Sequence, residues 1–286
     1  MSHVHLKEGI AKALFVAAAG ISILAVALIC VFLFANGVPA IAQIGLPEFL
    51  FGTTWRPVND LYGIFPMIVG SLYVTAGAMI VGVPGGLLTA LYFSRFARGR
   101  TGSFLRSGVE LLAGIPSVVY GFFGLVIIVP FVRLLGPGTG LSVLAASLIL
   151  GIMILPTVIT VAQSALDAVP ARYYEGALAL GVDHEHAVFK VVAPAAASGI
   201  MAAIVLGLGR AIGETMAVVM VAGNMPIIPD SLLSGVRTMT ANIVLEMGYA
   251  ADLHREALIA TGVVLFVFIL LITMLLNVIR KRGEAR

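Results

Sequence analysis

Residues 171–194, ARYYEGALALGVDHEHAVFKVVAP, form the longest reach of mixed polar and charged sequence between two strongly apolar segments. The stretch follows Pro170, and Tyr173 to Leu180 reads as a short amphipathic helix. Gly181 supplies a stop, because glycine takes the left-handed conformation that closes a helix. A second short helical piece runs on to Pro194, where the next apolar segment begins. A helix, a glycine and a second helix held at a membrane surface between two spans are shaped to dock into something.

The apolar segments set the class. Of 286 residues, 60% are hydrophobic and 11% charged, whereas a soluble domain has about a quarter of its residues charged. This composition needs a lipid solvent. Six runs, at about 11–35, 66–93, 109–134, 140–165, 194–222 and 256–280, are long enough to cross a hydrocarbon core of ~30 Å. They predict an all-α membrane domain over 11–280, with 1–10 and 281–286 as tails. The first run is too long for a signal peptide and has no convincing cleavage site, so it reads as a retained anchor. The net charge of +3 gives no reason to expect nucleic acid. The single cysteine, Cys30, excludes an intrachain disulfide and any multi-cysteine metal site.

Basic residues orient the spans. Lys7 and Lys12, then Arg95, Arg98, Arg100 and Arg106, then Arg280, Lys281, Arg282 and Arg286 flank one side, while the loops of the other side carry few. The positive-inside rule places both termini and the 171–194 loop in the cytoplasm. Outside, Phe51-Gly-Thr-Thr-Trp55-Arg56 and Tyr62-Gly-Ile-Phe65 suit a membrane–water interface, or contact with an extracytoplasmic partner. Gly85-Gly86 beside Pro84 predicts close helix packing or a kink.

Two spans carry unusual residues. Gly114-Ile-Pro116-Ser117-Val-Val-Tyr-Gly121 should kink or break the third, because proline removes a backbone hydrogen bond. Arg106 and Glu110 ahead of it read as a surface pair. The fifth contains Gly207-Leu-Gly209-Arg210-Ala-Ile-Gly213-Glu214-Thr215-Met216. A charge inside a span must face protein or water. Spacing of four puts Arg210 and Glu214 one turn apart on a helix, and Gly209 with Gly213 would let a second helix approach. The pair either holds helices together or lines an oxyanion pathway, where the arginine fork matches phosphate oxygens two at a time. In the second case Glu214 would accept a hydrogen bond from protonated phosphate and repel fully ionised sulfate.

Other constellations are weaker. Asp183-His184-Glu185-His186 reads as a solvated, charged loop rather than a metal site. No phosphate-binding Gly-x-x-x-x-Gly-Lys-[Ser/Thr] loop exists in the sequence, so the chain has no recognisable ATP site of its own.

Glu175-Gly176-Ala177, Gly181 and Val191-x-Ala193-Pro194 resemble the EAA loop of ABC-transporter permeases, with the spacing matched throughout. Gly176 stands for the first alanine of that pattern, and Ala193 for a leucine. With Phe51-Gly-Thr-Thr-Trp55, the Gly114–Gly121 stretch and Gly209–Met216, the chain is similar over nearly its whole length to phosphate-transport permeases of the PstC type. The resemblance implies a six-span type I (MetI-like) importer permease in a bacterial inner membrane. It implies a PstA-type sister permease, two copies of a PstB-type ATPase and a PstS-type phosphate-binding protein. On it, Glu175, Gly176, Ala177, Gly181 and Pro194 couple to the ATPase, which binds ATP, while this chain binds no cofactor. Arg210, Glu214, Thr215 and Ser117 lie on the phosphate pathway. A permease for sulfate, molybdate or phosphonate, or an anion transporter without an ATPase, are the alternatives.

Overall fold

Two glycine-bearing apolar helices run parallel through the centre of the protein. In the computed structural model, which describes residues 2–97 and 99–284 and the side chains of 11–97 and 99–278, they are α3 (Phe65–Leu91) and α7 (Val143–Asp167). Their contact passes over Gly77, Gly82 and Gly86 of α3. A β-carbon on Gly82 would stand 2.7 Å from the Gly151 carbonyl oxygen, and one on Gly86 would stand 2.7 Å from Val158. Lipid tails give apolar helices no solvent-driven reason to associate, so close van der Waals approach over small residues does the work. Gly86 realises the close packing expected of Gly85-Gly86, and Pro84 is accommodated inside the helix.

The other elements surround this pair in chain order. α1 (Ser2–Ile44) continues past the expected end of its span, through Asn36, Gly37 and Pro39. Packing overrides those breakers: Gly37 lies against Ala260 and Val263, and Asn36 donates to the Phe32 carbonyl oxygen at 2.7 Å. α2 (Leu46–Phe51) and a two-stranded hairpin follow, β1 (Trp55–Arg56) pairing antiparallel with β2 (Leu61–Tyr62) so that Trp55 opposes Tyr62. α3 closes with a π-helical turn at Tyr92–Phe96.

The third expected span divides at Pro116. α4 (Gly99–Gly114) bends by 101° into a second apolar piece. That piece is α5 (Ser117–Phe123), a π-helical turn (Gly124–Ile128) and α6 (Val129–Arg133). The break thus falls inside the expected 109–134 run. Arg106 forms no ion pair with Glu110 among the described residues: it donates to the Phe93 carbonyl oxygen and lies over the Phe93 ring.

After α7 come α8 (Ala171–Ala179), α9 (His184–Ala187), a π-helical turn (Val188–Val192) and α10 (Ala193–Ala195). The chain then bends by 71° into α11 (Ala197–Gly213). α11 runs antiparallel to α7, with Gly199 facing Ala165 and Gly207 facing Val158. The close approach in this span therefore uses Gly199 and Gly207, while β-carbons on Gly209 and Gly213 would meet nothing. α12 (Met216–Val221), α13 (Met239–Glu246) and α14 (Asp252–Glu284) complete the chain. Among the described residues four helices are long and apolar enough to span, or up to six if each bent pair counts as one. Arg98, Arg286 and the side chains of Lys7, Arg280, Lys281 and Arg282, on which the expected orientation leans, lie outside the described residues.

The α3–α7 contact gives a direct test. Gly82→Ala should destabilise the protein by about 1–3 kcal/mol, because the added methyl overpacks a closed interface. Gly209→Ala should change stability by no more than about 0.5 kcal/mol. Thermal unfolding of the two variants in one detergent separates these outcomes.

Candidate functional site

Arg210 sits in the last turn of α11 and is exposed on the single chain. One arm of its guanidinium, Nη1, donates to Thr157 Oγ1 of α7 at 3.2 Å. The helix ends at Gly213, because Glu214 is extended (φ −70°, ψ 134°). The expected Arg210–Glu214 pair presupposes helix through both residues, and no ion pair joins them among the described residues. Glu214 instead turns forward, its Oε1 accepting from the Ala217 amide at 3.2 Å and capping α12. Thr215 occupies the break, its hydroxyl donating to the Gly213 carbonyl oxygen. From α13, Thr240 Oγ1 donates to the Glu214 carbonyl oxygen at 3.0 Å. A broken helix at this depth frees backbone groups that only protein or water can satisfy.

The other broken span meets this one. Tyr120 of α5 donates to the Leu112 carbonyl oxygen at 2.8 Å, which satisfies an acceptor left open where Pro116 ends α4. Gly121 lets α5 close on α12, where its β-carbon would stand 2.9 Å from Ala217 Cα. The Gly114–Gly121 and Gly209–Met216 stretches are thus brought together. Ser117, at the start of α5, is half-buried.

At one end of the bundle, the loop 171–194 forms the expected pair of short helices. Gly181 has φ +84°. The Val182 amide donates to the Ala177 carbonyl oxygen and the Gly181 amide to that of Leu178, the double bond that closes a helix on a left-handed glycine. Asp183 then caps α9, its Oδ1 accepting from the His186 amide at 2.7 Å. That bond, followed by the His186 side chain, holds the Asp183 carboxyl below its ordinary value. Ala177 is buried, whereas Glu175, Gly176, Gly181 and Pro194 are exposed. Leu180 is 87% exposed at the tip, an apolar knob left uncovered by the described residues.

This loop is tied to the central helices by side chains. Arg95, in the π-helical turn after α3, donates to the Leu166 carbonyl oxygen of α7 at 3.0 Å. Its guanidinium also lies 5.8 Å from the centre of the Tyr174 ring. Ser94 donates to Asp167 Oδ1. Tyr174 and His184 share a hydrogen bond of 2.7 Å, and His184 packs edge-on against Phe96 at 4.7 Å. The Asp183–His186 run is solvated as expected, with Asp183, Glu185 and His186 exposed, while Asp183 also caps α9 and His184 packs inward. Among the described residues it forms no metal cluster.

Residues 82–284 match the protein family described as binding-protein-dependent transport system inner membrane component. The chain belongs to that family. It is 36% identical over 286 residues to "Probable ABC transporter permease protein YqgH" of Bacillus subtilis (strain 168), covering 98% of this chain and 93% of the relative. It is 33% identical over 279 residues to "Phosphate transport system permease protein PstC" of Mesorhizobium japonicum, covering 90% and 85%. An inward-facing structure of the MetNI methionine ABC transporter superposes with TM-score 0.61 at 20% identity, over 80% of this chain and 99% of that one. The fold is that of a MetI-like ABC importer permease.

In this inner membrane component, the end of the bundle opposite the 171–194 loop holds a charged cluster that sequence reasoning missed. Glu246 accepts from Arg237 Nη1 at 2.6 Å and from Trp55 Nε1 at 2.8 Å, and lies 2.9 Å from His254 Nε2. Arg237 also donates to the Asn224 carbonyl oxygen and to Asn242 Oδ1. Trp55 and Tyr62 are buried in this cluster and meet edge to face at 5.8 Å, so neither faces a membrane interface. Arg237 and Glu246 lie nine residues apart in a stretch read as a loop, and no periodic signal marks them as partners. Thr157, whose only sequence signal is a hydroxyl inside an apolar run, was missed as well.

The Asp183 cap carries a pH dependence with a fixed sign. Its carboxyl is lowered in the folded protein, so the stabilisation is present above the ordinary carboxylate range and is lost as pH falls through the lowered value. Hydrogen exchange at the His186 amide, corrected for the intrinsic rate, should accelerate as pH falls through that range. Asp183→Ala should remove the dependence.

Proposed function

We propose that this protein is the permease subunit of an ATP-driven, binding-protein-dependent importer of inorganic phosphate. The observation that carries the reading is Arg210: a cation in an apolar span, beside a helix break, with one arm on Thr157 and, among the described residues, the rest of its fork uncommitted. A guanidinium, with its planar fork of donors, is the side chain best suited to a tetrahedral oxyanion. The phosphate transport permeases that match over most of the chain support the choice of anion.

On this reading the membrane is a bacterial inner membrane, and the termini and the 171–194 loop are cytoplasmic. The loop docks on a PstB-type ATPase pair, which binds the ATP. Glu175, Gly176, Ala177, Gly181 and Pro194 form the docking segment, and Leu180 adds an apolar contact. A PstA-type sister permease completes the pathway and a PstS-type protein delivers phosphate from outside. Closure of the ATPase pair draws the coupling helices together and opens the pathway outward, and hydrolysis reverses it. The Arg95, Ser94 and His184 contacts carry that movement into α3 and α7. Arg210, Ser117, Thr215 and Glu214 line the route, with Glu214 favouring an anion that still carries a proton.

Radiolabelled phosphate uptake, in cells lacking this protein and complemented with variants of equal membrane abundance, tests the reading. Arg210→Gln should lower uptake about ten- to a hundredfold, the loss expected from one charged hydrogen-bonding partner. Gly181→Trp should abolish uptake and recovery of the ATPase with the permease, while leaving membrane insertion intact. Uptake by wild type no better than in empty cells would refute phosphate as substrate. Glu214→Gln keeps an acceptor for the Ala217 amide and removes only the charge. It should erode discrimination against sulfate, and unchanged discrimination would remove Glu214 from that role.

A further inference from the structure

α7 is covered on its α3 and α11 faces by Met153, Ile154, Val158, Ala162 and Leu166, all buried. The stripe left over is polar. Thr157, Thr160, Ser164 and Asp167 recur at spacings of three and four, so they share one side of the helix. Thr160, Ser164 and Asp167 are exposed and Thr157 is half-buried. The stripe starts at the Arg210 contact and descends toward the coupling-loop end, ~10 Å for the seven residues from Thr157 to Ser164. It runs into a groove of about 230 Å³ between α4 and α7, lined by Arg106, Glu110, Thr160, Gln163 and Ser164 among others. An uncovered row of polar groups on a spanning helix is costly against lipid and calls for water or protein over it.

We propose that this stripe is the exit track along which the anion leaves Arg210 for the cytoplasm, with the α4–α7 groove as its last station. The proposal rests on the reading of Arg210 as the oxyanion partner and adds the route beyond it. The hydroxyl chemistry is specific. Thr160 Oγ1 donates to the Pro156 carbonyl oxygen at 2.7 Å and Ser164 Oγ to that of Thr160 at 2.8 Å. Each hydroxyl proton is thereby committed to the backbone, and only lone pairs point outward. These two hydroxyls accept hydrogen bonds and offer none, so they suit an oxyanion that still carries protons, and the donor beside them is the Gln163 amide, which reaches Asp167 Oδ2 at 3.4 Å. Arg106 stands in the groove with its guanidinium already bonded to the Phe93 carbonyl oxygen. Glu110 lies beside it in the same groove, so an arriving anion meets a partly spent cation and a carboxylate, and is released rather than trapped.

Cysteine accessibility in the assembled transporter tests the track. Cys30 is first replaced by serine, and Thr160→Cys, Ser164→Cys and, on the outward surface of α1, Leu24→Cys are then made singly. Inside-out vesicles are treated with an anionic, membrane-impermeant methanethiosulfonate, which needs a water-exposed thiolate. The cysteines at 160 and 164 should react about tenfold or more faster than the one at 24. Inorganic phosphate should slow the reaction at 160, and modification there should stop ATP-driven uptake. Equal slowness at all three positions would overturn the proposal, as would rapid labelling that leaves uptake untouched. Protection by sulfate but not by phosphate would keep the track and refute phosphate as its cargo. Thr160→Ser, which retains the hydroxyl, should transport better than Thr160→Val, and equal transport by the two would exclude a role for the hydroxyl.

Discussion

Everything in this protein depends on two helices approaching closely in a solvent that gives them no hydrophobic reason to do so. In water α3 and α7 would be driven together by their apolar surface, but among lipid tails that driving force is absent. What remains is contact, and contact needs short side chains. Gly77, Gly82 and Gly86 bring one backbone within reach of the other, and α11 then settles on the opposite flank of α7 over Gly199 and Gly207. The parallel course of α3 and α7 fixes where their ends fall, so Arg95, Ser94, Leu166 and Asp167 meet at one level. The 171–194 loop is built on that level.

The same solvent explains why the polar chemistry gathers at breaks. A continuous apolar helix satisfies its own backbone and offers nothing to a ligand. Pro116 and the extended residue Glu214 each interrupt a helix, and the freed groups find Tyr120, Thr240 and the Glu214 side chain. Close packing of α5 on α12 brings both interruptions to one region. Arg210 is placed there by the last turn of α11, free of the acid four residues later because the helix stops first.

The Pro116 break, the glycine turn at 181 and the membrane class were legible in the sequence, because each follows from local chemistry or from length. The Arg210–Glu214 pair was misread for one reason: a spacing of four has meaning only where the chain is helical, and a Gly-Glu-Thr end inside an apolar run gives little sign of itself. Gly209 and Gly213 fit the small-residue pattern, yet it is Gly199 and Gly207 that face α7. The sequence shows a period without showing which side of the helix a neighbour occupies. The Glu246 cluster was out of reach for a different reason. Its members come from the hairpin, a loop and the ends of α13 and α14, the Trp55–Glu246 hydrogen bond alone joining residues 191 apart, and such partners are set by tertiary structure alone.

Residues 11–29 of α1 are all exposed, and the helix joins the bundle only farther on, where Gly37 and Ala40 are buried against α14. The energetics of that first half belong to its surroundings rather than to the chain. A substitution at Leu14 or Ile21 breaks no intrachain packing, so its cost is set by whatever medium lies at that depth. This part of the helix is in effect a built-in dipstick: a charge walked along it would trace the polarity profile of the membrane, undistorted by the fold that it anchors.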